Sequence, residues 1–279
     1  MGDPRMVGIT SIGVRRDRRG WHCGGRGHPH VVGDPESGRE TPLLGGHCTP
    51  GVVLVGATVR RSTGPHTPFV HAVLRRLEGA GVPAPRVLGT DAMGREILAF
   101  VPGATGHGRY DWSDSQLAVA ANLCAAMHDA CAGSYLAGAA ETVCHGDLAP
   151  WNVVITDDGT PRVFIDFDSA APGARVDDLA YLAWTFCALG DPARSPTAQA
   201  HRLRVLADAY AACTGRRLHT QLVGALRAQQ NKVRSWRANQ AHTAPDPQLR
   251  SLAGRRVAEI DDQIRWMRDH HHEFTSALG

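Results

Sequence analysis

The chain has 279 residues, a formal net charge of +3 at pH 7, 43% hydrophobic residues and 20% charged residues. This length allows one large domain or two modest lobes, and the composition is typical of a soluble globular protein. The net charge is too small to indicate nucleic-acid binding, and no apolar run approaches the ~20 residues that span a bilayer. Because the first residues also lack the apolar block of a secretory signal, we expect a cytoplasmic protein that binds neither nucleic acid nor membrane.

The number and spacing of the cysteines also indicate a cytoplasmic protein. Their number is odd, and no two are separated by a metal-ligand spacing such as C-x-x-C. We therefore expect reduced thiols, some of them buried as small apolar side chains. They are Cys23, Cys48, Cys124, Cys131, Cys144, Cys187 and Cys213.

The N-terminal part divides into two regions. Residues 1–40 are rich in Gly, Arg, His and Pro without an apolar period, which predicts a disordered extension. Residues 41–101 alternate short apolar runs with turn residues, which predicts a small antiparallel sheet. Strands are expected over 52–55 and up to Ser62, with two more around a turn at Met93 and Gly94. One helix is expected between them, with the apolar face Val70, Val73, Leu74 and Leu77.

Residues 102–279 are predicted to be mostly helical. A long amphipathic helix is expected in "DSQLAVAANLCAAMHDACAG", residues 114–133, and a second in "VDDLAYLAWTFCALG", which Asp177 or Asp178 is placed to cap. Two or three further helices are expected from about Pro196. We interpret His128 as a buried structural histidine, and the histidines at 270–272 as a frayed helix end. The predicted fold class is therefore α+β, with a small sheet lobe and a larger helical lobe.

The segment "VCHGDLAPWNVVITDDGTPRVFIDFDSA", residues 143–170, holds the candidate site. "NVVITDDGTPRVFID" predicts a hairpin with arms at 153–155 and 162–165, whose ends bring Asn152 and Asp166 together. An amide oxygen and a carboxylate are hard ligands of the kind that Mg²⁺ prefers. Asp147, in the preceding loop, is free to accept a proton from a hydroxyl group. Asp168 is interpreted as a hydrogen-bonding loop residue, with metal or acceptor contact as the alternative.

These motifs resemble those of the aminoglycoside phosphotransferase family, which is related to choline kinases and protein kinases. The carriers are "HGDLAPWNVVI" and "FIDFDSAAPGARVDDLAY", with weaker support from "LEGAGVPAPRVLG" and "GREILAFVPG". The resemblance implies a protein-kinase-like two-lobe fold, with ATP as co-substrate and Mg²⁺ as cofactor. It also implies a role for each matching residue: Asp147 as catalytic base, Asn152 and Asp166 as metal ligands, His145 and Asp178 as supports of the site, and Ala99, Phe100 and Val101 as the adenine-binding backbone.

The chain departs from the family pattern in the sheet lobe. The family has a strand lysine that binds phosphate and pairs with a helix glutamate, but Lys232 is the only lysine here. Arg61 is the best replacement because it shares a strand face with Val59, and Arg60 is the second choice. Arginine keeps the charge but changes the shape of the group. The glutamate should lie near Val70 or His71, and neither is acidic.

The glycines of "GGHCTPG", Gly45 and Gly46 among them, are candidates for contacts between backbone N–H groups and phosphates. The same residues also fit an ordinary turn, and the sequence does not decide between the two.

The intact triplet Asp147, Asn152 and Asp166 favours an active small-molecule kinase, acting as a monomer or homodimer. The alternative is a catalytically impaired nucleotide-binding relative with a regulatory or scaffolding role. From residue 191 onward, 14 basic residues oppose 8 acidic ones, so the excess is +6. A polycationic aminoglycoside would want acidic groups. A neutral, zwitterionic or anionic hydroxyl compound is therefore the expected acceptor.

Overall fold

The structure is a computed structural model that describes residues 14–17, 20–23, 38–43 and 51–279. Two short strands, β1 (Val14–Asp17) and β2 (Gly20–Cys23), form an antiparallel pair. The rest of the extension that we predicted to be disordered lies largely outside the described residues, so that prediction is not tested. Gly45 and Gly46 also lie outside them.

A five-stranded antiparallel sheet follows, in the order β3-β4-β5-β7-β6. Its strands are β3 (Glu40–Pro42), β4 (Val53–Val55), β5 (Thr58–Ser62), β6 (Val87–Thr90) and β7 (Arg95–Ala99). The pairing of β5 with β7 places Arg61 directly opposite Glu96. Side chains at directly opposed positions of an antiparallel pair lie on the same face within contact distance. The predicted sheet is confirmed, and this register positions the basic residue of the candidate site.

Helix α1 (Thr67–Gly79) connects β5 to β6. Pro68 lies in its first turn, where the missing N–H costs no hydrogen bond. Its apolar face is buried as the 3.6-residue period predicts, through Val70, Val73, Leu74 and Leu77.

After the sheet, helix α2 (Asp114–Cys131) leads into four short strands. They are β8 (Thr142–Cys144), β9 (Val153–Ile155), β10 (Pro161–Phe164) and β11 (Ala171–Gly173). β9 pairs with β10 as the predicted hairpin, although the second arm begins and ends one residue earlier than expected. β8 pairs with β11, a pairing that the sequence did not predict.

Five helices complete the chain: α3 (Arg175–Phe186), α4 (Pro196–Thr214), α5 (His219–Thr243), α6 (Pro247–Asp269) and α7 (His271–Leu278). The mixed α+β class with a mostly helical C-terminal part is confirmed. Asp177 and Asp178 lie within the first turn of α3, so the prediction that one of them precedes the helix as a cap is wrong.

Two predictions about the C-terminal helices are also wrong. Four helices, not two or three, follow Pro196, because Gly215 ends α4 in the left-handed conformation and Asp246 caps the separate helix α6. The histidines at 270–272 are not a frayed end. His270 separates α6 from α7, and α7 is anchored by Phe274 and Leu278, which are 0% and 5% exposed.

The chain forms two compact units. The first contains residues up to Gly108 and Ala126–Ala174, and the second contains Arg109–Ala125 and Arg175–Gly279. The proposed boundary between lobes at 101–102 stays a prediction. Among the described residues, no helix combines the length and the apolar character needed to cross a membrane. The five cysteines with described side chains are free thiols, and only Cys213 of these five is exposed.

We expect Leu74→Ala to lower the free energy of unfolding by about 2–5 kcal/mol, because it removes a buried side chain and leaves a cavity under α1. Leu88→Ala is the matched control. Leu88 is 49% exposed, so its change should stay within about 0.5 kcal/mol. Chemical denaturation measures both, and equal effects would contradict the described burial of α1.

Candidate active site

The pairing of β8 with β11 creates the candidate site within the first unit. Because the two strands are antiparallel, the residues that follow β8 meet the residues that precede β11. The first group is the His145-Gly146-Asp147 loop, and the second is the segment from Asp166 to Ala170. Strand pairing therefore brings together the two motifs that the sequence separates by about twenty residues.

Gly146 is where the two segments touch. Its φ of +81° favours glycine, and a Cβ atom here would lie 2.6 Å from the backbone oxygen of Ser169. Only a residue without a side chain allows this approach. The glycine of the H-G-D motif is thus explained by packing against the second motif.

His145 joins the same two segments through both ring nitrogens. The backbone N–H of Asp147 donates to its Nδ1 at 3.2 Å, so Nδ1 is an acceptor. The opposite nitrogen, Nε2, donates to the backbone oxygen of Ile165 at 3.1 Å. The ring also packs on Phe167, with centroids 4.4 Å apart. Its predicted role as a support of the site agrees with these contacts.

Asp147 and Asn152 form a buried pair, 1% and 5% exposed. The amide nitrogen of Asn152 donates to the Asp147 carboxylate at 2.7 Å and to the Asp147 backbone oxygen at 3.1 Å. A short 3-10 helix, Pro150–Asn152, closes the loop between them. Because the Asn152 nitrogen faces Asp147, its amide oxygen is the atom left to face a metal ion.

Asp166 follows the second arm of the hairpin and lies at the same end as Asn152, as predicted. The N–H of Ile165 donates to the backbone oxygen of Asn152 at 2.9 Å, so the two predicted metal ligands occupy the same end. Asp166 adopts φ +67° and ψ +66°, an uncommon left-handed conformation for a residue other than glycine. Burial, together with the neighbouring Asp168 carboxylate, raises the pKa of Asp166 to about 6 against the lowering effect of Arg61.

Arg61 lies at the centre of three carboxylates. Its Nε donates to Glu96 at 2.6 Å, and its terminal nitrogens donate to the two Asp168 oxygens at 2.6 and 3.0 Å. Asp166 is a weaker partner at 3.4 Å. Burial by itself lowers the pKa of Arg61, but the three carboxylates outweigh it and raise that pKa. The Arg61 side chain therefore stays charged although only 11% of it is exposed.

Arg60, the second choice from the sequence, points elsewhere. It pairs with Asp91 at 3.4 Å, in the turn between β6 and β7. The structure therefore brings Arg61, and not Arg60, to Asp166. The interpretation of Asp168 as a hydrogen-bonding loop residue agrees with its two bonds to Arg61.

Glu96 and His71 are the residues that sequence reasoning missed. Glu96 lies on β7 and is 2% exposed, and its second oxygen accepts from His71 Nε2 of helix α1 at 2.7 Å. The family pattern has this glutamate on the helix, where the sequence of this chain offers none; here the carboxylate comes from a strand and the helix contributes a histidine. The available signal was the alternation along "REILA", which places Glu96 and Leu98 on one face.

Two further sets of predicted site residues are the adenine-binding segment 99–101 and Asp178. In the predicted adenine-binding segment, the N–H of Ala99 donates to Arg86 and that of Phe100 donates to Ala57. These bonds leave Val101 as the candidate donor to an adenine base. Asp178 lies in the first turn of α3, in the second unit, and is 2% exposed. Its supporting role stays a prediction.

The donor set fits a divalent cation. Asn152 and Asp166 offer an amide oxygen and a carboxylate at one end of the hairpin, and both are hard oxygen ligands. Burial and the neighbouring Asp168 carboxylate disfavour the charged form of Asp166 and raise its pKa. A cation bound between these oxygens would favour the charged form.

Comparisons with known proteins identify a family that this chain resembles. The model of the phosphotransferase enzyme family matches residues 109–216, which include the whole segment from His145 to Asp178. A search of curated protein sequences finds no match. The resemblance to this family is therefore confirmed, although the matched range does not include Arg61 or Glu96.

Solved structures of kinases share the fold. A choline/ethanolamine kinase family protein from Mesorhizobium loti has a TM-score of 0.57 at 18% identity, over 90% of this chain and 95% of that chain. A Plasmodium vivax ethanolamine kinase has 0.56 at 11% identity, over 80% and 81%. A microcompartment-associated aminopropanol kinase has 0.55 at 13% identity, over 80% and 89%.

We expect Gly146→Ala to disrupt the site, because the added methyl group would overlap the Ser169 backbone in addition to the strain of a positive φ. The matched control is Gly133→Ala, which has a similar φ of +65° and open space around the added atom. The control should lose only the roughly 1–2 kcal/mol of a left-handed residue, measured by chemical denaturation. Equal losses in the two variants would show that the loop does not pack on Ser169.

Proposed function

We propose that the protein is a small-molecule kinase that transfers the γ-phosphoryl group of Mg²⁺·ATP to a hydroxyl group. The observation that carries this proposal is the assembly of Asp147, Asn152 and Asp166 beside the charged Arg61 within one unit. The family match and the kinase fold support a phosphotransferase, and the geometry supports the individual roles.

Asp147 is the proposed catalytic base. Its carboxylate is buried and is oriented by the hydrogen bond from Asn152. It accepts the proton of the acceptor hydroxyl while that oxygen bonds to the γ-phosphorus and the bond to the ADP oxygen breaks. Asn152 and Asp166 would hold Mg²⁺, which would neutralise charge on the phosphoryl oxygens.

The nucleotide contacts are proposed for the sheet region of the first unit. The Arg61 guanidinium binds phosphate oxygens, for which its planar pair of donors is well shaped. Gly45 and Gly46 are proposed to offer backbone N–H groups to the phosphates. The backbone of Ala99, Phe100 and Val101 is proposed to bind adenine, with Val101 as the N–H donor.

The proposed acceptor is a small hydroxyl compound that is not strongly polycationic. The C-terminal helices carry more basic than acidic residues, although several arginines there are paired, as Arg256 is with Glu259 and Arg234 with Asp261. An acceptor screen should include neutral and anionic hydroxyl compounds and simple amino alcohols. Kanamycin-type compounds as the best acceptors would contradict this part of the proposal.

One observation favours the alternative, a nucleotide-binding relative without transferase activity. The terminal nitrogens of Arg61 are bonded to Asp168, so the proposed phosphate-binding group already has an anionic partner within the protein. An active enzyme must exchange this contact for phosphate. Tight nucleotide binding without transfer to any acceptor in the screen would support the alternative.

We expect Asp147→Asn to lower the transfer rate by about 10²–10⁴-fold, the usual contribution of a general base. Nucleotide binding should be retained, because the variant keeps an oxygen that can accept from Asn152. The rate is measured with an acceptor from the screen, and binding by calorimetry. Asp157→Asn, in the exposed hairpin turn, is the control and should change neither quantity. Normal transfer by Asp147→Asn would exclude the proposed role of Asp147.

The metal site is tested by thermal unfolding with ATP, with and without Mg²⁺. Nucleotide at ~100 times its Kd stabilises a protein by about 2.7 kcal/mol, or roughly 2–4 °C for a chain of this size. We expect a Mg²⁺-dependent part of this shift that is lost in Asp166→Asn and kept in Asp157→Asn. A metal-dependent shift of wild-type size in Asp166→Asn would remove Asp166 from the site.

A further inference from the structure

We propose that Glu96, held by His71, is a positioning residue that orients Arg61 for phosphate binding. The inference rests on the proposed function, since it concerns how the nucleotide phosphates are recognised. The Glu96 carboxylate on β7 and the His71 ring on α1 together fix the position of the Arg61 side chain. Neither residue lies in the part of the chain that the family model matches.

The strand register supplies the first part of the evidence. Arg61 on β5 and Glu96 on β7 are directly opposed, so the backbone itself sets their separation. The resulting bond between Nε and the carboxylate is 2.6 Å long, and Glu96 is 2% exposed. A buried carboxylate is costly unless it is paired and hydrogen-bonded, so this contact is strongly favoured over a solvated alternative.

His71 holds the second oxygen of the same carboxylate. A carboxylate only accepts hydrogen bonds, so His71 Nε2 must be the donor at 2.7 Å. Each Glu96 oxygen therefore has a separate partner, one on a strand and one on helix α1. This arrangement restricts rotation of the carboxylate and thereby the position of the Arg61 side chain.

The contact with Glu96 uses only one of the three guanidinium nitrogens of Arg61. Glu96 uses Nε of Arg61 and leaves the two terminal nitrogens directed toward Asp166 and Asp168. Those nitrogens donate to both oxygens of Asp168. Two phosphate oxygens present the same planar arrangement to a guanidinium, so they fit the position that Asp168 occupies.

The separate contacts of Nε and of the terminal nitrogens also explain why this position has an arginine and not a lysine. An ammonium group is a compact point charge on a flexible stem, whereas the guanidinium has separate donors in a rigid plane. Arg61 bonds Glu96 through one edge and keeps its other edge for phosphate. The purely structural interpretation is that Arg61 and Glu96 only stabilise the sheet, and it predicts no effect on nucleotide affinity at equal stability.

The test is a double-mutant cycle on ADP affinity, measured by calorimetry in EDTA and again with Mg²⁺. Its variants are Glu96→Gln, Arg61→Gln and the two combined. We expect Glu96→Gln to weaken ADP binding about tenfold, because an uncharged amide with one acceptor oxygen cannot accept from both Arg61 Nε and His71 Nε2 as the carboxylate does. Arg61→Gln should weaken it at least as much, and the double variant no more than Arg61→Gln, since Glu96 acts through Arg61. In steady-state kinetics the nucleotide KM should rise while the acceptor KM stays constant.

The control is Asp91→Asn, which removes a carboxylate that pairs with Arg95 at 2.8 Å in the same sheet region. Its ADP affinity should equal that of the wild type. Near-ultraviolet circular dichroism and thermal unfolding verify that each variant is folded. If Glu96→Gln does not fold, His71→Phe serves as the second variant. It removes only the outer donor and should weaken ADP binding, whereas His71→Gln keeps a donor and should restore it.

The outcomes separate the inference from the function on which it rests. A wild-type protein that binds no ADP would overturn the proposed function and the inference with it. Weaker binding in Arg61→Gln with unchanged binding in Glu96→Gln and His71→Phe would overturn the inference alone. Additive losses in the double variant would also overturn it, because Glu96 would then act independently of Arg61.

Discussion

The contact between Gly146 and the Ser169 backbone is the constraint on which the candidate site depends. It holds the His145-Gly146-Asp147 loop against the segment that carries Asp166 and Asp168. The site is therefore a product of backbone packing, and its polar side chains are oriented by that packing.

The second constraint is electrostatic. One guanidinium, that of Arg61, faces the three carboxylates of Glu96, Asp166 and Asp168, so the cluster has more negative than positive charge. Burial first, and then the neighbouring Asp168 carboxylate, raises the pKa of Asp166. A protein retains such a charge imbalance at a cost in stability, and functional sites are where such costs are commonly found. The proposed binding of Mg²⁺ and nucleotide offers a reason for it, because each brings charge that the cluster can use.

The cluster around Arg61 uses other residues than the family pattern, but it has the same combination of a basic side chain and a carboxylate. Arg61 is the proposed counterpart of the family's strand lysine, its carboxylate partner Glu96 lies on a strand and not on a helix, and helix α1 contributes His71. A guanidinium is longer than an ammonium group and has several directional donors, so its anchor need not lie where a lysine's anchor would. This geometric difference explains how the candidate site forms without a lysine.

The sequence by itself determined the fold class, helix α1 with its buried face and the hairpin after Asn152, and it ranked Arg61 above Arg60 without deciding between them. These features follow from periods of 2 and 3.6 residues and from turn residues, which are local properties. Element boundaries, the number of C-terminal helices and the cap of α3 were less accurate, because neighbouring helices differ only in weak start and stop signals.

Only the tertiary structure decided which residues surround Arg61. The pairing of Glu96 with Arg61 depends on the register between β5 and β7, and these strands are separated along the chain by a helix and another strand. The contact of Arg61 with Asp168 joins residues 107 positions apart, which no local pattern encodes. Register and long-range pairing are set by the packing of the whole unit, so residues such as Glu96 and His71 acquire their places only when the chain is folded.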